Sequence, residues 1–351
     1  MSHELLFISG FLLFIMLILA LDLGLFSKRD HTISLKQAAI MSFVMVVLAL
    51  SFYMLLVLEG QYLHGIDSYA KLEQIVEANK HPITLIPGHF EESLVVYKKN
   101  LGMEFLTGYV IEYALSVDNI FVIVLVFSAF AVPEKYYHRV LFWGILGAIV
   151  MRFIFIFAGA ALINEFSWIL YVFGAFLLFT GIKMFFSKEE DDKIDPENHP
   201  VVKFASRFFK IHPRYEGKKF FHKVGGKKLL TPLFLVLLIV EFTDLIFAVD
   251  SIPAIFAVTK DAYIVFFSNI FAIMGLRSMF FLLVNIIHKF HYLKTGLAVL
   301  LTFIGVKMLG HHYLKEWGFT TEHSLLVIVF ILTTSIVASL AFPKKINRSA
   351  L

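Results

Sequence analysis

Glu112-Tyr-Ala-Leu-Ser-Val-Asp118-Asn119 and Glu241-Phe-Thr-Asp244-Leu-Ile-Phe-Ala-Val-Asp250-Ser251-Ile-Pro253 each interrupt an otherwise apolar stretch, residues 106–130 and 231–257. Each stretch exceeds the roughly 20 apolar residues that a helix needs to cross a bilayer. A carboxylate at bilayer depth costs roughly 2.5–3.5 kcal/mol on insertion scales. Glu112, Asp118, Glu241, Asp244 and Asp250 are therefore read as the lining of an ion or proton pathway in an all-α membrane protein.

The rest of the composition agrees. Of 351 residues, 59% are hydrophobic and 40 are Phe, against about 45–50% apolar residues in soluble domains. With no cysteine, disulfides and thiolate metal sites are excluded. Nothing suggests a phosphate-binding Gly loop, a Ser/His/Asp arrangement or a nucleic-acid surface, so no enzyme activity, permanently bound cofactor or nucleic-acid partner is expected. Met-Ser-His-Glu at the start lacks a basic leader, so the first apolar run reads as an uncleaved helix.

Nine spans are expected, at about 5–26, 38–58, 106–130, 139–158, 166–186, 231–257, 262–287, 296–311 and 324–342. With the N-terminus outside, 21 of the 31 Lys/Arg fall on inside segments, six outside and four within spans. That asymmetry places the C-terminus in the cytoplasm of a cell (inner) membrane. The expected organisation is two N-terminal helices (1–58), an outer loop (59–105), a three-helix unit (106–186), a basic cytoplasmic loop (187–230), a second three-helix unit (231–311) and a last helix with its tail (312–351). Both long loops read as solvated or headgroup-facing linkers, with 67–79 weakly helical, and the acid run 189–192 as at most a weak cation binder.

The two three-helix units repeat one another. Asp118 aligns with Asp250, Glu112 with Asp244 and Asn119 with Ser251; Arg152 follows in one unit and Arg277 in the other; Gly181-Ile-Lys183 matches Gly305-Val-Lys307. An odd number of spans per unit inverts the second, the arrangement of many secondary transporters with mid-membrane sites.

Spacing defines the chemistry. Glu241 and Asp244 share a helix face. Six residues separate Glu112 from Asp118 and Asp244 from Asp250, about 9 Å of rise, which lines a path better than it chelates one ion; one site could instead combine Asp118 with Asp250. Pro253 has no N–H, so the Val249 carbonyl loses its helical partner and the helix is expected to kink or open beside Asp250 and Ser251. These hard oxygens, with the Asn119 amide, suit Mg²⁺, Ca²⁺ or Mn²⁺. Arg152 and Arg277 are expected to pair with acids. Six in-span acids, Asp22 included, exceed the four in-span bases by two charges, which one dication or two protons would balance. Asp22 is either a ligand near the inner mouth or a helix-end carboxylate among headgroups. Lys183 and Lys307 are expected to snorkel towards opposite surfaces. The histidines, including His288, His291, His311 and His312, fall in loops or at span ends and are not used as ligands.

Leu21-Asp22-Leu-Gly-Leu-Phe26 together with the two acid motifs resembles the TerC family of integral membrane proteins, its Alx-like branch especially, over about residues 5–345. The resemblance implies a nine-helix bundle, a link to tellurite resistance and manganese export, with Glu112, Asp118, Glu241, Asp244 and Asp250 as metal-path residues. The 59–105 loop is longer than that family leads one to expect. The expected function is thus export of a divalent cation, Mn²⁺ foremost, by exchange with protons. A membrane assembly or scaffold factor is the alternative, with tellurite or metal effects indirect. An intramembrane aspartyl hydrolase fits poorly, because no Gly-x-Gly-Asp element is present.

Overall fold

Each expected span forms a helix. The computed structural model describes residues 3–26, 34–166, 168–186, 199–224, 227–284, 292–310, 313–314 and 317–342. Helices α1 (His3–Phe26), α2 (Leu35–Glu59), α3 (Gln61–His64), α4 (Tyr69–Ala78), α5 (Phe90–Ala129), α6 (Tyr137–Glu165) and α7 (Ile169–Phe186) make the first part. Then come α8 (Pro200–Phe208), the hairpin β1 (Phe221–Val224) and β2 (Lys227–Leu230), and α9 (Pro232–Phe256), α10 (Ala262–Leu283), α11 (Leu293–Leu309) and α12 (Thr321–Ala341). Seven helices, α2, α5, α6, α7, α9, α10 and α12, are long and apolar enough to cross a membrane. The 17-residue α11 and the apolar stretch Leu6–Ile18 of α1 fall short of that length. The chain is a multi-pass, all-α membrane protein.

Two loop expectations are corrected. The outer segment is not a solvated linker. Helix α5 begins at Phe90 and runs 40 residues, about 60 Å at 1.5 Å per residue, twice the hydrocarbon core. Its first half gives α4 a surface to pack on, while α3 packs against α1. Leu63, Ile66, Leu72, Ile75, Leu94 and Tyr97 are buried there. Mixed charge hid this, because α4 shows its charges on one face and buries Leu72 and Ile75 on the other. The second loop is likewise folded over 199–231, with α8 and the β1–β2 hairpin packed on the start of α9. Its acid run 189–192, and His288, His291, His311 and His312, lie outside the described residues.

Helix α10 sits innermost, every residue from Ile264 to Phe281 being buried. It carries Ser268, Asn269, Arg277 and Ser278, polar groups that lipid would leave unsatisfied, so enclosure by α2, α5 and α6 is where they are tolerated. Phenylalanines close the outer half of this core. Phe11 lies 4.4 Å from Phe267 between ring centroids, and Phe52 lies 5.0 Å from both Phe105 and Phe271.

Helices α7 and α11 approach closely through glycine. A methyl group on Gly305 would lie 2.6 Å from the Leu178 nitrogen and 2.8 Å from the Gly174 carbonyl oxygen. One on Gly181 would lie 2.7 Å from the Thr302 nitrogen and 2.8 Å from the Ala298 carbonyl oxygen. No side chain fits at either position, so these backbones touch directly.

Candidate functional site

Arg152 of α6 is the hub of the membrane-embedded polar cluster, and only 1% exposed. Its Nη2 donates to Asp244 Oδ1 at 3.1 Å and its Nε to Asp244 Oδ2 at 3.4 Å, a two-pronged grip on α9. Its Nη1 donates to Glu112 on α5 and to the Asn269 side-chain oxygen on α10. Asn269 Nδ2 then donates to Glu112 Oε2 at 3.1 Å, and Asn119 Nδ2 to Asp244 Oδ1 at 2.9 Å. Five side chains from four helices thus close one network around a single guanidinium. Its members need each other, since a lone buried charge would be costly.

The other acids of the two motifs are placed differently. Asp118, Glu241 and Asp250 are half-buried, whereas Glu112 and Asp244 are buried. Asp250 accepts a hydrogen bond from the Thr180 hydroxyl on α7 and lies within electrostatic range of Asp118. Glu241 packs its carboxylate against Gly147 of α6, so closely that a methyl group there would overlap it. Four oxygens of the motifs, Ser116 Oγ, Asn119 Oδ1, Asp250 Oδ1 and Ser251 Oγ, are buried with no hydrogen-bond partner among the described residues. Asn119 and Asp244 also line a cavity of about 20 Å³ closed by Ile145, Ala148 and Ile273, room for roughly one water-sized occupant.

Three expectations meet a different outcome or no test. Helix α9 continues through Pro253 and ends at Phe256. The proline sits in the last turn, so it removes one hydrogen bond without unwinding the chain. Arg277 lies 3.2 Å from His138 Nε2, at a distinct place from the Arg152 hub. Asp22 falls on α1, but its side chain lies outside the described residues.

A second buried cluster, at the outer end, escaped the reading of the sequence. His64 Nε2 lies 2.9 Å from Asp261 Oδ2, and His81 Nδ1 3.0 Å from Glu104 Oε1. Thr259 Oγ1 donates to Glu104 Oε2 at 2.6 Å and Asn100 Nδ2 to Glu104 Oε1 at 2.8 Å. Asp261 also caps α10, accepting from the Tyr263 N–H at 2.9 Å. Burial by itself would lower the His81 pKa, but Glu104 and Asp261 outweigh it and hold His81 above its usual value. Burial would raise Asp261, yet His64, His81 and the Tyr263 N–H hold it below the usual carboxylate range. Beside this cluster lies a pocket of about 520 Å³, lined by His81, Thr259, Lys260, Lys307 and Phe319 among others. Lys307, expected to snorkel, is half-buried and lines this open pocket. Glu104 was assigned to the outer loop because apolar character starts only at residue 106. Asn269 had a signal, an amide within an apolar span, that went unused. His64 and His81 had none.

Comparison with known proteins agrees with this architecture. The family model described as "Integral membrane protein TerC family" matches residues 97–347. An "Uncharacterized membrane protein STKORF319" from Myxococcus xanthus is 44% identical over 332 residues, covering 95% of this chain and 91% of that one. Proteins named "Putative membrane-bound redox modulator Alx" are similar too. The one from Escherichia coli strain K12 is 43% identical over 328 residues, covering 92% of each chain. The one from Salmonella typhi is 43% identical over 330 residues, covering 94% and 92%. No solved structure matches. A matched family model over most of its length and relatives at this identity make the chain a member of the TerC family of integral membrane proteins.

Proposed function

We propose that this chain is a transporter that exports a divalent cation, Mn²⁺ foremost, in exchange for protons, along the carboxylates of α5 and α9. The observation that carries this reading is the set of buried, unpartnered oxygens Asn119 Oδ1, Asp250 Oδ1 and Ser251 Oγ. A buried acceptor left without a partner costs about 1–3 kcal/mol. A passing hard cation would take such oxygens as ligands. Arg152 holds Glu112 and Asp244 in place, a framework on which half-buried Asp118, Glu241 and Asp250 can exchange metal for protons. Metal binding needs deprotonated ligands, so acid outside would release the ion there.

An inverted repeat, α5–α7 against α9–α11, is part of the proposal, and the glycine contacts support it. Gly305 meets Gly174 and Leu178, while Gly181 meets Ala298 and Thr302. Aligning Gly181 with Gly305 also aligns Gly174 with Ala298 and Leu178 with Thr302, so the contacts are reciprocal, as a two-fold relation requires. The nine-span count, the outside N-terminus, the cytoplasmic C-terminus and the inner membrane belong to the same reading, as does tellurite resistance as its consequence.

The test is total cell manganese in a manganese-sensitive host under manganese load, carrying empty vector, wild type or Asp250→Asn at matched membrane levels. Wild type is expected to lower manganese and Asp250→Asn to fail; no difference between vector and wild type refutes export. A second reading, a membrane assembly factor, draws on the folded outer segment and its pocket. Under it Asp250→Asn keeps full function while changes in α4 lose it. The redox effect in the relatives' names would reach this cysteine-free chain only indirectly, through metal balance.

A further inference from the structure

Among the described residues, one group of three His, Asp or Glu side chains has donor atoms close enough to share a metal ion: His212, Glu216 and His222. One ligand atom from each lies within 4.8 Å of the others. His212 Nε2 is 3.9 Å from Glu216 Oε1, and His222 Nδ1 is 3.8 Å from Glu216 Oε2. The imidazole rings lie 4.8 Å apart between centroids. The backbone holds all three. Strand β2 runs between the histidines, with the His212 N–H donating to the Leu230 carbonyl at 2.7 Å and His222 paired with Leu229. Glu216 is set by a turn whose Gly217 has a φ of +57° and in which the Lys219 N–H donates to the Glu216 carbonyl at 3.2 Å.

The backbone also engages the far side of the His212 ring. Its Nδ1 accepts from the Arg214 N–H at 3.3 Å and lies 3.0 Å from the Arg214 carbonyl. Nε2 is thereby turned towards Glu216. A backbone contact behind an imidazole fixes the orientation of a metal-ligating histidine. The three side chains are partly exposed, hence reachable from water.

We propose that His212, Glu216 and His222 bind a first-row transition dication, Zn²⁺ or Co²⁺ in preference to Mg²⁺ or Ca²⁺. Two imidazoles and one carboxylate favour such ions over hard cations. Ligand bonds of about 2.0–2.2 Å place donor atoms roughly 3.3–3.5 Å apart, a closure that rotation of these side chains supplies. Nearby Lys210, Arg214, Lys218, Lys219 and Lys223 repel loosely held cations, so coordination rather than local field must hold the ion. The site lies on a clasp between the acid helices. The Tyr215 hydroxyl donates to the Phe130 carbonyl beyond α5 at 2.7 Å, and Thr231, just before α9, donates its hydroxyl to the Lys219 carbonyl at 2.8 Å. This inference does not depend on the transport reading.

The experiment is equilibrium dialysis of the purified full chain in detergent, tag removed, against Zn²⁺, with Co²⁺ absorption recorded in parallel. Wild type is expected to hold one more Zn²⁺ per chain than His212→Ala/His222→Ala, and to show a tetrahedral Co²⁺ band that this variant lacks. Glu216→Gln, which keeps both imidazoles, is expected to weaken binding more than tenfold, and Asp250→Asn to leave this site unchanged. Equal Zn²⁺ stoichiometry and affinity in wild type and a double variant that elutes normally overturn the proposal. If the double variant does not fold, unchanged affinity in Glu216→Gln overturns it.

Discussion

Replacing Arg152 with methionine tests whether the membrane cluster is one unit. Arg152 is the shared cation of Glu112 and Asp244, and 1% exposed. Removing it strands two carboxylates at bilayer depth and leaves the Asn269 side-chain oxygen without its donor. Breaking a buried ion pair from one side costs about 3–5 kcal/mol. Two acids share this one cation, so Arg152→Met belongs at the upper end of that range. The cost comes from the stranded charges more than from lost attraction. Adding Glu112→Gln and Asp244→Asn to Arg152→Met should therefore recover most of it, although two more polar groups have been altered. The assay is reversible unfolding in mixed micelles, read by circular dichroism against denaturant, for wild type, Arg152→Met and the triple variant. The reasoning is refuted if Arg152→Met unfolds within about 0.5 kcal/mol of wild type, the range of an ordinary surface change. It is equally refuted if the triple variant is no more stable than the single one.

Gly305→Ala places a methyl group 2.6 Å from the Leu178 nitrogen; overpacking of this kind costs about 1–3 kcal/mol, and the same unfolding assay should show it, with Gly10→Ala, which meets nothing within 4 Å, as the neutral control. Gly147→Ala displaces the Glu241 carboxylate, so manganese export should fall while the protein still reaches the membrane at normal levels; unchanged export would remove Glu241 from the path. The outer cluster should be firmest between about pH 4 and 6.5. Asp261 has a depressed pKa, so its contribution is complete above its unfolded value of about 3.9 and fades as pH falls through the folded one; His81 has a raised pKa, so its contribution is complete below about 6.5 and fades as pH rises through the folded one. Hydrogen exchange of residues 61–81 across pH, corrected for intrinsic rates, checks this: Glu104→Gln should abolish most of the alkaline loss, and an unchanged alkaline limb would contradict the role given to His81 and Glu104.

The places where residue-by-residue reading stopped short share a cause. It began the third span at residue 106 because hydropathy begins there, whereas the helix begins at Phe90. Hydropathy marks where lipid is, not where a helix ends, and the first half of α5 is covered by α4. That error put Glu104 in a loop and hid the whole outer cluster. Pro253 was expected to open its helix, yet its effect depends on how many turns follow, and only one does.

What the chain determines by itself are properties that each residue carries alone or shares with near neighbours: apolar length enough to cross a bilayer, acids placed within it, Gly-x-Lys at matching places, the absence of thiols. Those sufficed for an all-α membrane protein of this family. Which acid does what was decided by tertiary structure. Arg152 meets Glu112, 40 residues away, Asp244, 92 away, and Asn269, 117 away, and His64 meets Asp261 across 197 residues. Charge neutralisation is a matter of distances of a few ångströms between groups far apart in the chain. The division between the acids that Arg152 holds, Glu112 and Asp244, and the half-buried acids Asp118, Glu241 and Asp250 therefore exists only once the helices have packed.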